Sequence, residues 1–190
     1  FDPKGNRRFF QTALRADLEL GGGITLTSIS AYNYLKQNQR ISNNGSEYLI
    51  SNLENADGNL KSFNQELRLA NSPSESLRWV VGGNYEKSDT FEYYNIRYLH
   101  TAYRAAFRFI NSSAVNTSQD IENYAIFGNV DFNVTDQLTL KGGARYTNSR
   151  NHSESCGFAI PGGNTFLFFN ALGAANGTVP FTPIGPGDCY

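Results

Sequence analysis

Apolar and polar residues alternate in six separate segments of this chain, and this period of two constrains the fold more than any other feature. In the first segment, Leu14, Ala16 and Leu18 alternate with Arg15 and Asp17. Successive side chains of a β-strand point to opposite faces, so the pattern predicts a strand with one apolar and one polar face. The predicted strands cover about residues 8–20, 24–35, 60–70, 77–94, 121–133 and 138–148.

The connections between these strands alternate between short and long. Short turns lie at residues 21–23, 71–76 and 134–137, and long loops are predicted at about 36–59, 95–120 and 149–190. Outer-membrane barrels combine short periplasmic turns and long extracellular loops with antiparallel strands of about ten residues. The pattern therefore predicts an all-β fold, an antiparallel transmembrane β-barrel segment of about six strands.

The composition is compatible with the wall of a membrane β-barrel. It argues against a nucleic-acid-binding protein and against a protein with a membrane-spanning helix. The 190 residues include 18 Gly and 14% aromatic residues, yet the mean hydropathy is only -0.44. The 16 basic residues are scattered and the formal net charge is -1, so we expect no nucleic-acid partner. No apolar run reaches the ~18 residues of a membrane-spanning helix. A secreted soluble β-sandwich that binds carbohydrate would have the same average polarity and stays an alternative.

Aromatic residues lie near both ends of the predicted strands, as in the two girdles of a membrane barrel. Burial on one face of any amphipathic sheet is the alternative explanation. The residues toward the long loops are Phe10, Tyr32, Tyr34, Tyr85, Tyr124 and Tyr146, and those near the short turns are Trp79 and Phe132.

Six strands are too few to close a barrel, since the smallest closed barrels use about eight. An open sheet in lipid leaves backbone groups unpaired, and each such group is costly in hydrocarbon. We therefore expect further strands elsewhere and interpret the chain as an incomplete, internal part of a barrel.

Five phrases of the chain resemble, in order, the barrel of TonB-dependent outer-membrane receptors. They are ITLTSISAY at 24–32, FNQELRLA at 63–70 followed by LRWVVGGNY at 77–85, NYAIFGNV at 123–130, and LTL with GGARYT at 138–147. Asn64 stands where the family phrase usually has Ser, which is a minor departure. The resemblance covers about residues 24–147.

The resemblance implies a barrel of about 22 strands, plugged by an N-terminal domain, in the bacterial outer membrane. It also implies uptake of a scarce small-molecule ligand, such as a ferric siderophore, cobalamin or an oligosaccharide, with energy from TonB. The implied partners are outer-membrane lipid, the ligand, and the TonB energy-transducing complex, which would bind through an N-terminal part missing here. We expect the plug domain and the TonB box to be absent from residues 1–190. A smaller porin or autotransporter barrel is the alternative.

No catalytic constellation, cofactor motif or metal-ligand spacing is recognisable, and we expect no enzyme activity. His100 and His152 fall in different predicted loops, and no motif nominates a nucleophile. Ligand contact is instead expected from aromatic and cationic residues that can stack and form charge-assisted hydrogen bonds. The alternative is a loop that only packs on its neighbours or carries the upper girdle. The candidates are Tyr93, Tyr94, Arg97, Tyr98, His100, Tyr103 and Arg104.

Two further groups of residues carry structural predictions. Cys156 and Cys189 flank a segment rich in Gly, Pro and Asn, and a disulfide between them would close that loop in an oxidising compartment. Free thiols are the alternative. Charged residues on the polar faces of the strands are expected to form a network along the lumen wall; they are Arg15, Asp17, Glu19, Glu66, Arg68, Lys141 and Arg145.

Overall fold

The computed structural model describes residues 2–42, 51–72, 76–99, 110–175 and 182–190. The described chain forms β1 (Lys4–Gly21), β2 (Ile24–Ser42), β3 (Ser51–Asn71), β4 (Leu77–Tyr98), β5 (Ser112–Asn133), β6 (Thr139–Phe158) and one helix, α1 (Thr165–Ala175). The strands build one sheet in chain order, and every neighbouring pair is antiparallel. The predicted all-β, antiparallel, six-stranded architecture is confirmed, and within the described residues the sheet is not closed.

The register places the apolar positions of all six strands on one face. One row across the sheet contains Leu18, Leu26, Leu69, Val81, Gly128 and Ala144. A slip of one residue in any pair would move an apolar set to the opposite face, so the alternation fixes the pairing. We call this apolar side the outward face and the opposite side the inward face.

The strands extend further than the sequence indicates. Residues 36–42, 51–59, 95–98, 112–120 and 149–158, predicted as loop, are strand, and α1 lies within the predicted loop 149–190. The predicted boundaries between strands and long loops are therefore wrong, because the strands continue into segments that were predicted as loop. The physical reason is that both faces are polar in these stretches, so the period of two in polarity disappears while the backbone pairing continues.

The three short turns are closed by local interactions. Gly21, Gly22 and Gly23 all have positive φ, at 87°, 61° and 74°, a backbone region that favours glycine. Between β3 and β4, the Asn71 side chain donates to the carbonyl of Leu77 at 2.6 Å and accepts from the amide of Trp79 at 2.7 Å. These turns fix the hairpin registers.

The sheet contains very little buried apolar side-chain volume. The buried apolar residues are mostly alanines, whereas Leu14 is 71%, Ile126 is 67% and Tyr146 is 66% exposed. Soluble proteins rarely expose continuous apolar surface of this kind, so the outward face requires an apolar environment. No helix in the described ranges is both long and apolar enough to cross a membrane.

Candidate ligand site and membrane-facing surface

Each strand carries an outward aromatic residue at the level where the apolar positions stop. The stretch between a short turn and this residue, the turn-side part of the strand, is close to the ~9–11 residues that a tilted strand needs to cross a bilayer. In chain order, these residues are Phe10 on β1, Tyr32 and Tyr34 on β2, Phe63 on β3, Tyr85 on β4, Tyr124 on β5 and Tyr146 on β6. This row supports the upper girdle expected from the sequence.

Beyond the aromatic row, in the loop-side part of each strand, the outward face becomes charged. Arg8 follows Phe10, Lys36 follows Tyr34, and Lys61 follows Phe63 at the next outward position. Lys87, Glu122 and Arg150 occupy the corresponding level of β4, β5 and β6. The change marks an apolar-to-polar boundary that crosses all six strands.

The inward face is polar along its turn-side part. Asp17 accepts hydrogen bonds from Arg15 at 2.8 Å and from the Thr27 hydroxyl at 2.6 Å. The carboxylate of Asp131 lies 3.3 Å from Lys141 and 3.7 Å from Arg78. All seven residues predicted for the lumen wall point inward in this register, and these short-range pairs form a wall network.

A second set of inward contacts links β4, β5 and β6, and it involves no carboxylate group. Arg145 donates to the Asn84 side chain at 2.7 Å, and its guanidinium lies 5.6 Å from the centre of the Phe127 ring. Gly82 allows this arrangement, because a Cβ there would come within 2.7 Å of the Phe127 ring and of the Leu67 carbonyl. The inward face is therefore packed through side chains that span three strands.

Four of the predicted ligand contacts lie at the loop-side end of β4. Because side chains alternate along a strand, Tyr93 and Arg97 point outward while Tyr94 and Tyr98 point inward. Tyr93 packs 6.3 Å from Phe158, and the Tyr98 hydroxyl lies 3.1 Å from that of Ser113. The four residues therefore do not all converge on one ligand, and only Arg97 and Tyr98 line a common cleft. The predicted contacts His100, Tyr103 and Arg104 lie outside the described residues.

Both tyrosines at 93 and 94 remain neutral phenols over the physiological range. Partial burial raises the pKa of Tyr93, and the nearby Asp57 carboxylate raises it further. Burial likewise raises the pKa of Tyr94, with Glu92 adding to the effect. Each ring can therefore stack and donate a hydrogen bond, but neither supplies a negative charge.

A cleft of about 820 Å³ opens at the loop-side end of β2, β3 and β4. The charged groups that line it are Arg97 and the ion pair of Arg40 with Glu54, whose nitrogen and oxygen lie 3.0 Å apart. Residues at the strand ends and in the connections also line it; they are Tyr98, Leu99, Asn111, Ser112, Ile160, Pro161 and Gly162. We refer to this space as the upper cleft.

Asparagines supply the other polar atoms of the upper cleft. Asn95 and Asn55 line it, and the side-chain oxygen of Asn95 is buried without a hydrogen-bond partner among the described residues. Asn52, opposite Arg97 in the register, is only 3% exposed, and its side-chain oxygen likewise lacks a described partner. A buried acceptor without a donor is costly, so the side-chain oxygen of Asn95, which lines the cleft, favours a ligand that brings N–H or O–H groups. Sequence reasoning missed these asparagines because they lie where the periodic signal is absent.

A second, apolar pocket of about 420 Å³ lies on the inward side beneath α1. Tyr98 and Val115 form its floor, and Phe168, Phe169 and Tyr190 cover it. The rings of Phe169 and Tyr190 stack with centroids 4.0 Å apart. This arrangement is a small packed cluster that holds α1 against the sheet.

The segment after α1 is tied to the loop-side end of β6. The structure joins Cys156 and Cys189 through a disulfide with Cα atoms 5.1 Å apart. The backbone amide of Tyr190 donates to the carbonyl of Gly157 at 2.9 Å, and that of Gly187 donates to Ala159 at 3.1 Å. These contacts position α1 beside the upper cleft.

Comparison with known proteins finds a matching family model, and the solved structures that match include a bacterial receptor. The family model described as "TonB dependent receptor-like, beta-barrel" matches residues 2–176. The crystal structure of the siderophore receptor PiuA from Acinetobacter baumannii aligns with a TM-score of 0.41 and 11% sequence identity. That alignment covers 83% of this chain and 30% of the receptor, so the chain spans less than a third of that protein's length.

Proposed function

Because this chain belongs to the TonB-dependent receptor-like β-barrel family, we propose that it forms part of the wall of an outer-membrane transporter. The cargo class that we propose is a scarce small molecule, such as a ferric siderophore, cobalamin or an oligosaccharide. The observation that carries the proposal is a single antiparallel sheet whose outward face is apolar between the short turns and the aromatic row and carries charged residues just beyond that row. A soluble β-sandwich would need a second sheet packed on this face.

The proposal includes an energy source and a location. Uptake against a gradient is driven by the TonB complex, which contacts a part of the receptor outside residues 1–190. The wall lies in the bacterial outer membrane, with α1 and the upper cleft on the extracellular side. The alternation of short and long connections supports this orientation.

Within the described residues, the upper cleft is our candidate for ligand contact. Arg97 can form a charge-assisted bond to an anionic ligand oxygen, and the side-chain oxygen of Asn95 can accept a hydrogen bond from a ligand donor. Tyr98 offers an aromatic face to the same space. This combination suits an oxygen-rich ligand that carries both negative charge and hydroxyl or amide donors.

Uptake by the intact receptor tests the proposal. Cells that lack the receptor are complemented with it and supplied with labelled ferric hydroxamate, ferric catecholate, cyanocobalamin or maltodextrin, with and without TonB. We expect uptake of one of these ligands to require both the receptor and TonB. Uptake that needs the receptor but not TonB would support the porin alternative, and no receptor-dependent uptake of any of the four would contradict the proposed cargo class.

The role of the upper cleft is tested separately with an arginine pair. Arg97→Gln should weaken binding of the transported ligand about tenfold or more, the usual range for a lost charge-assisted hydrogen bond. Arg150→Gln, on the outward face of β6 away from the cleft, is the matched control and should bind as the unaltered receptor does. Equal affinities of both variants would exclude Arg97 as a contact.

A further inference from the structure

The pocket beneath α1 is a space that the surrounding side chains do not fill. Its volume is about 420 Å³, whereas packed protein interiors leave few voids larger than a water molecule. Small-molecule sites are clefts of roughly 300 to 1,000 Å³ with a mainly apolar lining. The rings of Phe169 and Tyr190 stack on each other above this space and leave it open. The pocket is therefore large enough for a small molecule or for one substituent of a larger ligand.

Aromatic rings line both the floor and the cover of the pocket. Tyr98 belongs to the floor, and Phe168, Phe169 and Tyr190 belong to the cover. The other described lining residues are aliphatic or carry a hydroxyl group, and none of them is charged. Burial raises the pKa of Tyr190, so its phenol stays uncharged at neutral pH. Rings prefer offset or edge contacts with other rings, and a buried charge would lose its hydration, so the lining favours an uncharged aromatic group.

Two hydroxyl groups add a polar element to this lining. The Tyr98 hydroxyl on β4 lies 3.1 Å from the Ser113 hydroxyl on β5, and both residues line the pocket. Each hydroxyl can donate one hydrogen bond and accept others. A hydroxyl on a bound aromatic ring can therefore join the pair, which favours a phenol over a plain hydrocarbon.

The cover of the pocket is held in place from the β6 side. The backbone amide of Tyr190 donates to the carbonyl of Gly157 at 2.9 Å, and the preceding residue is fixed by the disulfide. The Tyr190 ring lies against Gly157, where a Cβ would come within 2.7 Å of a ring carbon. The Asn170 side chain on α1 donates to the carbonyl of Ile184 at 2.8 Å and accepts from its amide at 2.9 Å. A cover that is fixed in advance lowers the ordering cost of binding.

The surface around the pocket is apolar as well. α1 has no charged residue, and its Leu167 and Leu172 are 57% and 42% exposed. A helix that is apolar on all sides is normally buried, so this exposed side of α1 also suits apolar contact. Tyr98, the last residue of β4, lines both this pocket and the upper cleft. An aromatic group therefore meets apolar surface outside the pocket as well as inside it.

We propose that the pocket beneath α1 is a binding site for an uncharged aromatic group that carries a hydroxyl, as in a phenol. The group is either a substituent of the transported ligand or a separate small molecule. The recognition chemistry is the same for both sources, because the contacts come from the rings and from the hydroxyl pair of Tyr98 and Ser113. The site is additional to the contact proposed for Arg97, and its existence does not depend on transport.

The test uses the full-length receptor in lipid nanodiscs, which keep detergent alkyl chains out of the pocket, and para-fluorophenol as the probe, followed by fluorine NMR. The probe should bind, and phenol should displace it. Cyclohexanol has the hydroxyl but no aromatic ring and should bind about two- to tenfold more weakly than phenol, the factor that an aromatic contact adds beyond its buried area. Benzoate, which is charged at neutral pH, should not compete. Absence of probe binding, or equal affinities for phenol and cyclohexanol, would overturn the proposal.

Three variants locate the probe in the pocket. Val115→Phe places a ring in the space from the β5 side and should abolish probe binding. Phe169→Leu keeps an apolar side chain but removes a ring, and should weaken binding about two- to tenfold. Phe166→Leu makes the same change on the same helix outside the described lining of the pocket, and should leave binding unchanged. If Phe169→Leu binds the probe as tightly as Phe166→Leu does, the probe lies elsewhere and the proposal is wrong, even where Val115→Phe does not fold.

Uptake measurements separate the two sources of the aromatic group. If the group belongs to the transported ligand, excess phenol should slow uptake of that ligand, and Phe169→Leu should raise its KM. If the group belongs to a separate molecule, neither phenol nor Phe169→Leu should change uptake, while the probe still binds; both results support the site. Failure of the transport proposal is distinguishable, because the unaltered receptor would then take up none of the four ligands but would still bind para-fluorophenol.

Discussion

The turn-side and loop-side parts of the sheet share the same six strands and the same continuous antiparallel pairing, yet their outward faces differ completely. On the turn side, the outward side chains of Leu14, Val81 and Val130 are 71%, 51% and 45% exposed. On the loop side, Lys87 pairs with Asp120, and Glu154 with His152, as on the surface of a soluble protein. The backbone therefore does not distinguish the two environments, and only the side chains record where the membrane ends.

This difference also explains which stabilising features the chain uses. The turn side relies on lipid contact outside and on a polar network inside, because almost no apolar core exists. The loop side relies on a disulfide, an aromatic cluster beneath α1 and short-range hydrogen bonds. The following substitutions test whether the two parts respond independently.

The largest effect is expected from removing the cysteine pair. Replacing Cys156 and Cys189 by Ser opens a loop with a sequence separation of 33 residues, which should cost about 3 to 4 kcal/mol of local stability by the loop-entropy estimate. Hydrogen exchange of the full-length receptor should then accelerate in α1 and at the end of β6, and not on the turn side. Thiol titration of the unaltered receptor should find no free thiol at either position. A reactive thiol, or exchange that accelerates equally near the short turns, would contradict the separation.

An arginine scan along one strand tests the boundary itself. Leu14→Arg places a charge within the membrane band of β1 and should lower the free energy of unfolding by about 2 to 4 kcal/mol in bilayers. Asn6→Arg introduces the same side chain on the same face of the same strand, but beyond the aromatic row, and should change stability little. Urea titration of the receptor in lipid vesicles provides the comparison. Similar losses for both variants would mean that the aromatic row is not the boundary.

The same boundary separates what the sequence predicts from what it does not. Alternation arises only where lipid lies on one side and water on the other, and there the strands from 24 and 77 begin at the predicted residues. Beyond the aromatic row both faces are wet, so segments such as 51–59 and 112–120 gave no periodic signal and were predicted as loop. The strands there continue because the hydrogen-bonded ladder below them fixes the register.

The candidate site was predictable only in part, for a related reason. The cluster of aromatic and cationic residues in the sequence includes Arg97 and Tyr98, which line the upper cleft at the loop-side end of β4. It also grouped Tyr93 with Tyr94, which the pleat of the strand places on opposite faces. Asn52 and Glu54 come from another strand, and only the register brings them near Arg97.

A pair of glycine substitutions sharpens the comparison within the turn side. Gly82→Ala places a methyl group within 2.7 Å of the Leu67 carbonyl on the packed inward face, and should cost about 1 to 3 kcal/mol. Gly142→Ala adds the same group on the outward face, where no heavy atom lies within 4 Å, and should be close to neutral. Thermal unfolding of both variants in the same detergent measures the difference. A neutral Gly82→Ala would show that the inward network yields easily to an added methyl group.

The smallest effect concerns the ion pairs of the loop side. Asp120 holds the pKa of Lys87 above its ordinary value of 10.5, first through a hydrogen bond and then through its charge. Because the folded-state pKa is raised, the associated stabilisation is present below pH 10.5 and is lost as the pH rises through the higher folded value. In Asp120→Asn, the pKa of Lys87, measured by NMR of labelled lysine side chains, should fall toward 10.5. Glu154→Gln, on β6, removes a carboxylate that pairs only with His152 and should leave it unchanged. A raised pKa that survives in Asp120→Asn would show that Lys87 does not depend on this carboxylate, and that Lys87 and Asp120 are not paired as their distance indicates.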